Sequence, residues 1–498
     1  MFKETPAHRK ILDAILNSEE NVQVQARAGS GKTTTIKFVL SKISGLRGTP
    51  RKSLVLCFNS SICEELRQKI TDWNVDIMTI NSLGLKMWRS HLIVNNRVAF
   101  TKHRPEKMKE LADSLKVYPQ RAYAARMCAQ RAKKIGADTN GLGKELVYNR
   151  TLRLPDGADI DFETGQWDAL ARKMVLESND LSREGEIDFA DQVYMPVKDR
   201  ARPFKFYDYV FVDEAQDLSP IQHQLLEVAC EGAKLISVGD PEQAIYGFRG
   251  ACSDSMRLLS ERTETQTCSL NVTYRCAKTI VAEAQEFVPD LCAHEDAPEG
   301  KVRSIESWKL SGMLRPGDLV LSRLNHPLIK AALGAYQEKS ENILVRGQNI
   351  PAKIRKTVNE LRSMHNNEHG YETFSSSLLL DQVQAWRRRE KNRLGEDAPA
   401  SARARVFDDA ACVTHLLHSE SDVRFAYEKL ERVFQSSPGK SQIVFSTIHK
   451  AKGTEADRVF ILNWHEMPLQ WGDPKEEANL AYVAITRAKH SLFYVQPR

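Results

Sequence analysis

Residues 22–35 read VQVQARAGSGKTTT, an alternating apolar run, a short loop with two glycines, and the start of a helical pattern. This strand-loop-helix order constrains the chain more than any other feature. Gly29 and Gly31 let successive backbone N–H groups turn toward one point, and the following helix N-terminus favours an anion there. Lys32 is long enough to reach the outer phosphates of a polyphosphate, and the Thr33 hydroxyl can hold Mg2+. Ala28, Ser30 and Thr34 complete the candidate contacts. Ala26 stands where the general phosphate-loop pattern has its first glycine.

Such a loop needs a parallel sheet behind it, and the pattern predicts one. Strand-like runs recur at 22–25, 54–58, 76–80, 210–212, 235–238, 319–321, 443–445, 459–462 and 492–495. Helically spaced apolar residues lie between them, such as Ile36, Val39, Leu40 and Ile43. Alternation of this kind indicates α/β domains. The chain has 498 residues, enough for about three domains by length alone. Its longest apolar runs, including Tyr209–Val212, are far below the roughly 18 to 20 residues a membrane helix needs, so no membrane partner is expected. MFKETPAHRK lacks a secretory apolar core, and the nine cysteines lack any C-x-x-C pair. A cytoplasmic, nucleoid-associated location with free thiols is the expectation.

Two further elements complete a phosphate-transfer site. Tyr209-Val-Phe-Val-Asp-Glu-Ala-Gln-Asp217 ends a buried strand with two carboxylates. Asp213 suits a Mg2+ ligand, and Glu214 suits the group that orients or deprotonates the attacking water. Gly239-Asp-Pro-Glu-Gln-Ala-Ile-Tyr-Gly-Phe-Arg-Gly250 places a polar sensor, Gln243, beside Tyr246, Phe248 and Arg249. The aromatic faces suit base stacking, so one loop could report hydrolysis to a bound strand.

With these elements in this order, the sequence resembles superfamily 1 helicases of the UvrD/Rep/PcrA type (the A branch). Phe58-Asn-Ser-Ser-Ile-Cys-Glu-Glu-Leu66, Thr79-Ile-Asn-Ser-Leu83, Ile187-Asp-Phe-Ala-Asp191, Leu270-Asn-Val-Thr-Tyr-Arg275, Ser446-Thr-Ile-His-Lys-Ala-Lys-Gly-Thr-Glu455 and Leu480-Ala-Tyr-Val-Ala-Ile-Thr-Arg-Ala-Lys489 match further family motifs. The resemblance implies an α/β fold of two RecA-like P-loop domains with parallel sheets, each carrying a mostly helical insertion, 1B or 2B. It assigns 1–88 plus 186–262 to domain 1A, 89–185 to 1B, 263–350 plus 441–498 to domain 2A, and 351–440 to a reduced 2B.

The same resemblance implies roles by position. Tyr274 stacks on adenine, Glu455 meets the ribose, and Arg275 and Arg487 reach the γ-phosphate as arginine fingers. Phe58, Tyr246 and Phe248 stack bases, with Asn81, Arg249 and His449 along the nucleic-acid path. His8 falls where the family has its adenine-reading glutamine; Phe248 replaces a usual Trp, Asn81 a usual His, and Ser60–Ser61 an Asn-Lys pair. The implied protein is an ATP- and Mg2+-dependent motor on single-stranded DNA and single/double-strand junctions, moving 3′ to 5′ as a monomer. Replication, repair, phage and defence systems all supply partners for such motors. A translocase that strips proteins without unwinding, and a non-catalytic clamp, are the alternatives.

The charge balance, 71 basic against 65 acidic residues, permits a polyanionic partner without demanding one. Lys102, Arg104, Lys107, Lys109, Lys116, Arg121, Arg126, Arg131, Lys133 and Lys134 crowd the first insertion, and Trp386-Arg-Arg-Arg-Glu-Lys391 lies in the second. Each stretch fits a solvated helix face; the resemblance turns both into expected phosphate-backbone contacts. His365-Asn-Asn-Glu-His369 fits an inverted zinc-protease pattern, but its asparagines and Gly370 suit a loop, so no metal site is expected there.

Overall fold

The computed structural model describes residues 4–45, 51–98, 100–136, 151–153, 159–161, 169–203, 205–247, 254–262, 264–339, 343–347, 349–394, 400–435, 442–470 and 472–497. They belong to two units, Met1–Asn271 and Val272–Arg498. No described helix is long and apolar enough to cross a membrane.

The first unit is built on β1 (Asn21–Ala26), β2 (Ser53–Cys57), β3 (Val75–Thr79), β4 (Tyr209–Val212), β5 (Lys234–Gly239) and β6 (Thr265–Leu270). All pair in parallel, in the order β6-β1-β5-β4-β2-β3. Parallel strands need crossovers, and helices such as Lys32–Ser44, Ser60–Lys69 and Pro220–Ala229 supply them. Both faces are thus covered, and every residue of β2 and β4 is buried. Alternation splits the core: Leu54, Leu56, Val210 and Val212 join one apolar cluster, while Val55 and Phe211 join the cluster on the other side.

The second unit repeats the plan with β7 (Lys301–Glu306), β8 (Leu319–Ser322), β9 (Ile343–Arg346), β10 (Ile443–Thr447), β11 (Ala456–Leu462) and β12 (Ala488–Gln496). These also pair in parallel, in the order β7-β12-β11-β8-β10-β9. The α/β class with two parallel sheets is as expected from sequence.

Three differences have physical causes. β6, β7 and β9 are absent from the strands read by pattern; each lies at a sheet edge, β6 and β7 are largely solvent-facing with little apolar run, and β9 is only four residues long. By the resemblance, β6 falls in domain 2A with the rest of 263–350. It pairs with β1 from Asn21↔Thr265 to Ala26↔Leu270, so it closes the first sheet. The region assigned to 2B forms helices Asn349–His369, Ser376–Leu394, Ala400–Leu417 and Val423–Gln435. Their Val358, Leu361, Val383, Trp386, Val413 and Leu430 share one buried cluster with Val320, Val345 and Phe445 of the sheet. Asp408 of the third helix accepts from the backbone N–H groups of Asn325 (3.2 Å) and His326 (2.9 Å), capping a helix of the sheet domain.

The His365–His369 pattern, expected in a loop, is helical, at the end of Asn349–His369. His365 is 2% exposed and packs against the rings of His369 (4.4 Å between centroids) and Tyr371 (5.1 Å). Glu368 accepts a hydrogen bond from Gln382 at 2.7 Å.

Candidate nucleotide and nucleic-acid site

In the first unit the C-terminal ends of three adjacent strands carry the three chemical elements: β1 leads into the glycine loop, β4 into Asp213, and β5 into Asp240. Ligands of open α/β sheets bind at such carboxyl ends. Gly29 and Gly31 both take positive φ, 73° and 91°, and Gly31 caps the helix Lys32–Ser44. That left-handed backbone aims N–H groups inward at no steric cost, which is the reason for glycine there. Ala28 and Ser30 are buried, and the Ser30 hydroxyl has no hydrogen-bond partner. A phosphate oxygen is the kind of acceptor this loop lacks. Thr33 is half-buried on the first helical turn, and Thr34 is exposed.

Lys32 Nζ lies 3.6 Å from Glu214 Oε1. Glu214 holds φ 53°, a left-handed conformation costly for a non-glycine residue and characteristic of functional sites. Its backbone N–H donates to Asp213 Oδ1 at 3.0 Å. Asp213 is 4% exposed. Burial, and then the Glu214 charge, push its carboxyl up to about 7, with Lys32 pulling the other way. Two carboxylates beside each other in a desolvated corner are suited to a divalent cation, which offsets both penalties. The residues present therefore fit Mg2+.

Gln243 is buried, and its amide donates to Asp240 Oδ2 at 2.6 Å. Three residues on, Tyr246 stacks on Phe58, with centroids 5.9 Å apart and planes within 4°. Phe58 is 41% exposed, so this pair presents an aromatic surface at the end of β2. Asn81 donates to the Phe189 carbonyl at 3.2 Å and to Gln192 at 3.4 Å. Phe248 and Arg249 lie outside the described residues. His8 is 4% exposed, its Nδ1 lies 2.7 Å from the Thr5 hydroxyl in a capping box, and its ring edge meets Phe38.

In the second unit Tyr274 is 53% exposed. Pairing of Val272–Thr273 with Cys292–Ala293 brings His294 beside it, centroids 4.8 Å apart. Sequence reading did not single out His294, because only the pairing of two short segments places it there. Arg275 donates to the Thr486 carbonyl at 3.2 Å and is ion-paired with Glu455. Lys489 pairs with the other Glu455 oxygen at 2.8 Å. Burial would raise the Glu455 carboxyl, but the Lys489 hydrogen bond and the Arg275 charge hold it below the usual range. Arg487 is 1% exposed and donates to the carbonyls of Val483 (2.9 Å) and Thr454 (3.3 Å). His449 is half-buried on the short helix Ile448–Ala451.

The described basic residues of 89–185 fall into buried and exposed groups. Lys107 and Lys133, counted among its phosphate-facing charges, are fully buried against Asp191, and Arg104 is paired with Glu110 and Glu186. In the second insertion Arg387, Arg388 and Lys391 are exposed, whereas Trp386 is buried and donates to Glu360 at 2.7 Å.

Two six-stranded parallel sheets, the first ending in a phosphate loop and an acidic pair, define a P-loop nucleotide-binding architecture with a second α/β domain. Family models place the chain within it: residues 7–264 match the UvrD/REP helicase N-terminal domain and 426–496 the UvrD-like helicase C-terminal domain, so the chain belongs to the UvrD-like helicase family. It is 29% identical over 312 residues to F-box DNA helicase protein 1 of Schizosaccharomyces pombe, covering 58% of this chain and 34% of that one. It is 24% identical over 542 residues to F-box DNA helicase 1 of Gallus gallus, covering 99% and 49%. A probable DNA helicase II homolog of Rickettsia conorii is 22% identical over 611 residues, covering 96% and 91%. The chain thus spans about a third of the fission-yeast relative and about half of the chicken one.

Proposed function

We propose that the chain is an ATP-hydrolysing motor that tracks single-stranded DNA 3′ to 5′, as a monomer, and opens duplex at single/double-strand junctions. The observation that carries this is the convergence at the carboxyl ends of adjacent central strands of Lys32, Asp213, Glu214 and Gln243, with Tyr246 continuing the Gln243 segment into an exposed stack with Phe58. Lys32 binds the outer phosphates, Glu214 orients the attacking water, and Gln243 follows the terminal phosphate. Thr33 and Asp213 hold Mg2+, which when bound neutralises charge on the phosphates. Arg275 and Arg487 serve as the fingers, Tyr274 as the adenine platform and Glu455 as the ribose contact. Phe58, Asn81, Tyr246 and His449 lie along the strand path in this reading, with Phe248 and Arg249. The helicase names of the relatives support DNA as the track.

The test is steady-state ATP hydrolysis with and without single-stranded DNA or RNA, followed by strand separation on 3′- and 5′-tailed duplexes. Hydrolysis stimulated by single-stranded DNA and unwinding from the 3′ tail are the expected results. Absence of any strand-stimulated hydrolysis removes the motor reading, and preferential unwinding from a 5′ tail removes the polarity.

A further inference from the structure

Arg27 opens the phosphate loop, directly after β1. Its backbone N–H donates to the Leu270 carbonyl at 2.9 Å, and its own carbonyl accepts from Ser30 at 3.0 Å, so its main chain is part of the loop's frame. Its side chain turns to the end of β5, where Nη1 lies 3.2 Å from Asp240 Oδ1. The two side chains are 12% and 0% exposed. A charge buried to that degree needs a specific partner, and each supplies it to the other.

Asp240 does more than neutralise Arg27. Its second oxygen accepts the Gln243 amide at 2.6 Å, and its backbone N–H donates to Gln216 Oε1 at 3.1 Å. The Gln216 amide in turn donates to Glu214 Oε2. Gly239 permits this approach, since a Cβ there would fall 2.4 Å from Gln216 Oε1. One residue therefore joins three parts of the site: the Asp240 carboxylate ties the phosphate loop to Gln243, and its backbone N–H reaches Glu214 through Gln216.

We propose that Arg27 is a positioning residue: through Asp240 it sets Gln243 and Glu214 in register with the phosphate loop. This rests on the hydrolytic reading above. An apolar side chain at 27 would remove this ion pair from the buried Asp240 carboxylate, letting Asp240 shift and carry with it Gln243, bonded to its carboxylate, and Gln216, bonded to its backbone N–H. Displacements of about 1 Å in positioned groups cost on the order of 10²-fold in rate without abolishing binding.

The experiment compares wild type with Arg27→Ala, Arg27→Lys, Asp240→Asn and the Arg27→Ala/Asp240→Asn double variant. Thermal melting reports folding, a fluorescent ATP analogue reports affinity, and oligo-dT-stimulated hydrolysis gives kcat and KM. Arg27→Ala is expected to lower kcat about 10- to 100-fold with KM for ATP within about twofold. Arg27→Lys is expected to recover most of that loss, and the double variant to be no slower than the slower single. If Arg27→Ala melts early, Arg27→Gln, which keeps polarity and length without charge, takes its place under the same expectation. A raised KM with unchanged kcat, unchanged kinetics, or fully additive effects would each overturn the proposal. A folded wild type without any hydrolysis counts against the motor reading itself.

Discussion

Lys32 and Glu214, 182 positions apart in sequence (214 − 32), face each other with Nζ 3.6 Å from Oε1 and side chains 14% and 21% exposed. The residue suited to binding a terminal phosphate and the residue suited to orienting water are thus within one ion-pair distance. On the proposed roles, a polyphosphate entering the loop would compete with Glu214 for Lys32 and free the carboxylate to orient water. In the proposed motor, this contact would couple nucleotide binding to the freeing of Glu214.

Lys32→Ala is expected to weaken nucleotide binding and to reduce hydrolysis to near background. Glu214→Gln removes the competitor as well as the water-orienting charge, so it should lower kcat by about 10² to 10⁴ while holding nucleotide at least as tightly as wild type. Both should retain single-strand binding. Stopped turnover assays beside fluorescence-anisotropy titrations check this; normal turnover in either variant contradicts the assigned roles.

The parallel Phe58–Tyr246 stack makes an exposed aromatic step. Replacing either ring with alanine should weaken binding of single-stranded DNA by about 1–3 kcal/mol. The rings support one another, so the double variant should lose less than the sum of the singles. Because neither ring is charged, the dependence of affinity on salt should keep its slope. A flattened slope on removing Phe58 would place the effect on the backbone rather than the bases.

Asp191 accepts from both Lys107 and Lys133 with all three side chains fully buried. Burial alone would raise the Asp191 carboxyl, but the two lysine charges hold it down at about 2. Asp191→Asn removes the carboxylate that both buried ammonium groups pair with, and should destabilise the first unit by about 3–5 kcal/mol. Lys116→Ala, an exposed change in the same insertion, should stay within about 0.5 kcal/mol. Chemical denaturation of the two variants separates these outcomes.

His415 is pushed down to about 4 by burial first, with Lys330, His326 and His418 adding repulsion. The unfolded chain, near 6.5, binds the proton more readily than the fold does. Stability from this group is therefore complete above about pH 6.5 and falls as pH drops toward 4. After allowance for partial solvent screening, the loss is on the order of 1–2 kcal/mol. The second unit's melting temperature should decline across that window, and His415→Gln should flatten the decline; an unchanged slope in the variant would assign the acid sensitivity elsewhere.

Much of the fold could be read from the chain because central parallel strands are buried on both faces. Val210–Val212 and Leu319–Leu321 have to be apolar throughout, and so they stand out. Lys301–Glu306 is an edge strand with mostly exposed side chains, and nothing in its composition marks it as a strand. The phosphate loop was equally legible, since backbone approach to an anion admits few residues besides glycine at Gly29 and Gly31. His294 beside Tyr274 was not, because a two-residue strand pairing carries no periodic signal. The His365–His369 segment misled for a related reason: Asn and Gly favour loops locally, yet packing of His365 into the insertion's helices overrides that preference.

By itself, then, the sequence determined the chemistry whose requirements are local: glycines that cradle an anion, a lysine one step into the helix, and carboxylates at the end of a buried strand. Tertiary structure alone decided how charges were distributed. Lys107 and Lys133 belong to a run that looks like a solvent- or phosphate-facing surface, yet both are consumed by Asp191. Arg27 and Asp240, 213 residues apart, form a buried pair between neighbouring strand ends. The reason is the same in each case. A charge's role is set by its desolvation and by the nearest opposite charge, and both are supplied by segments remote in the chain.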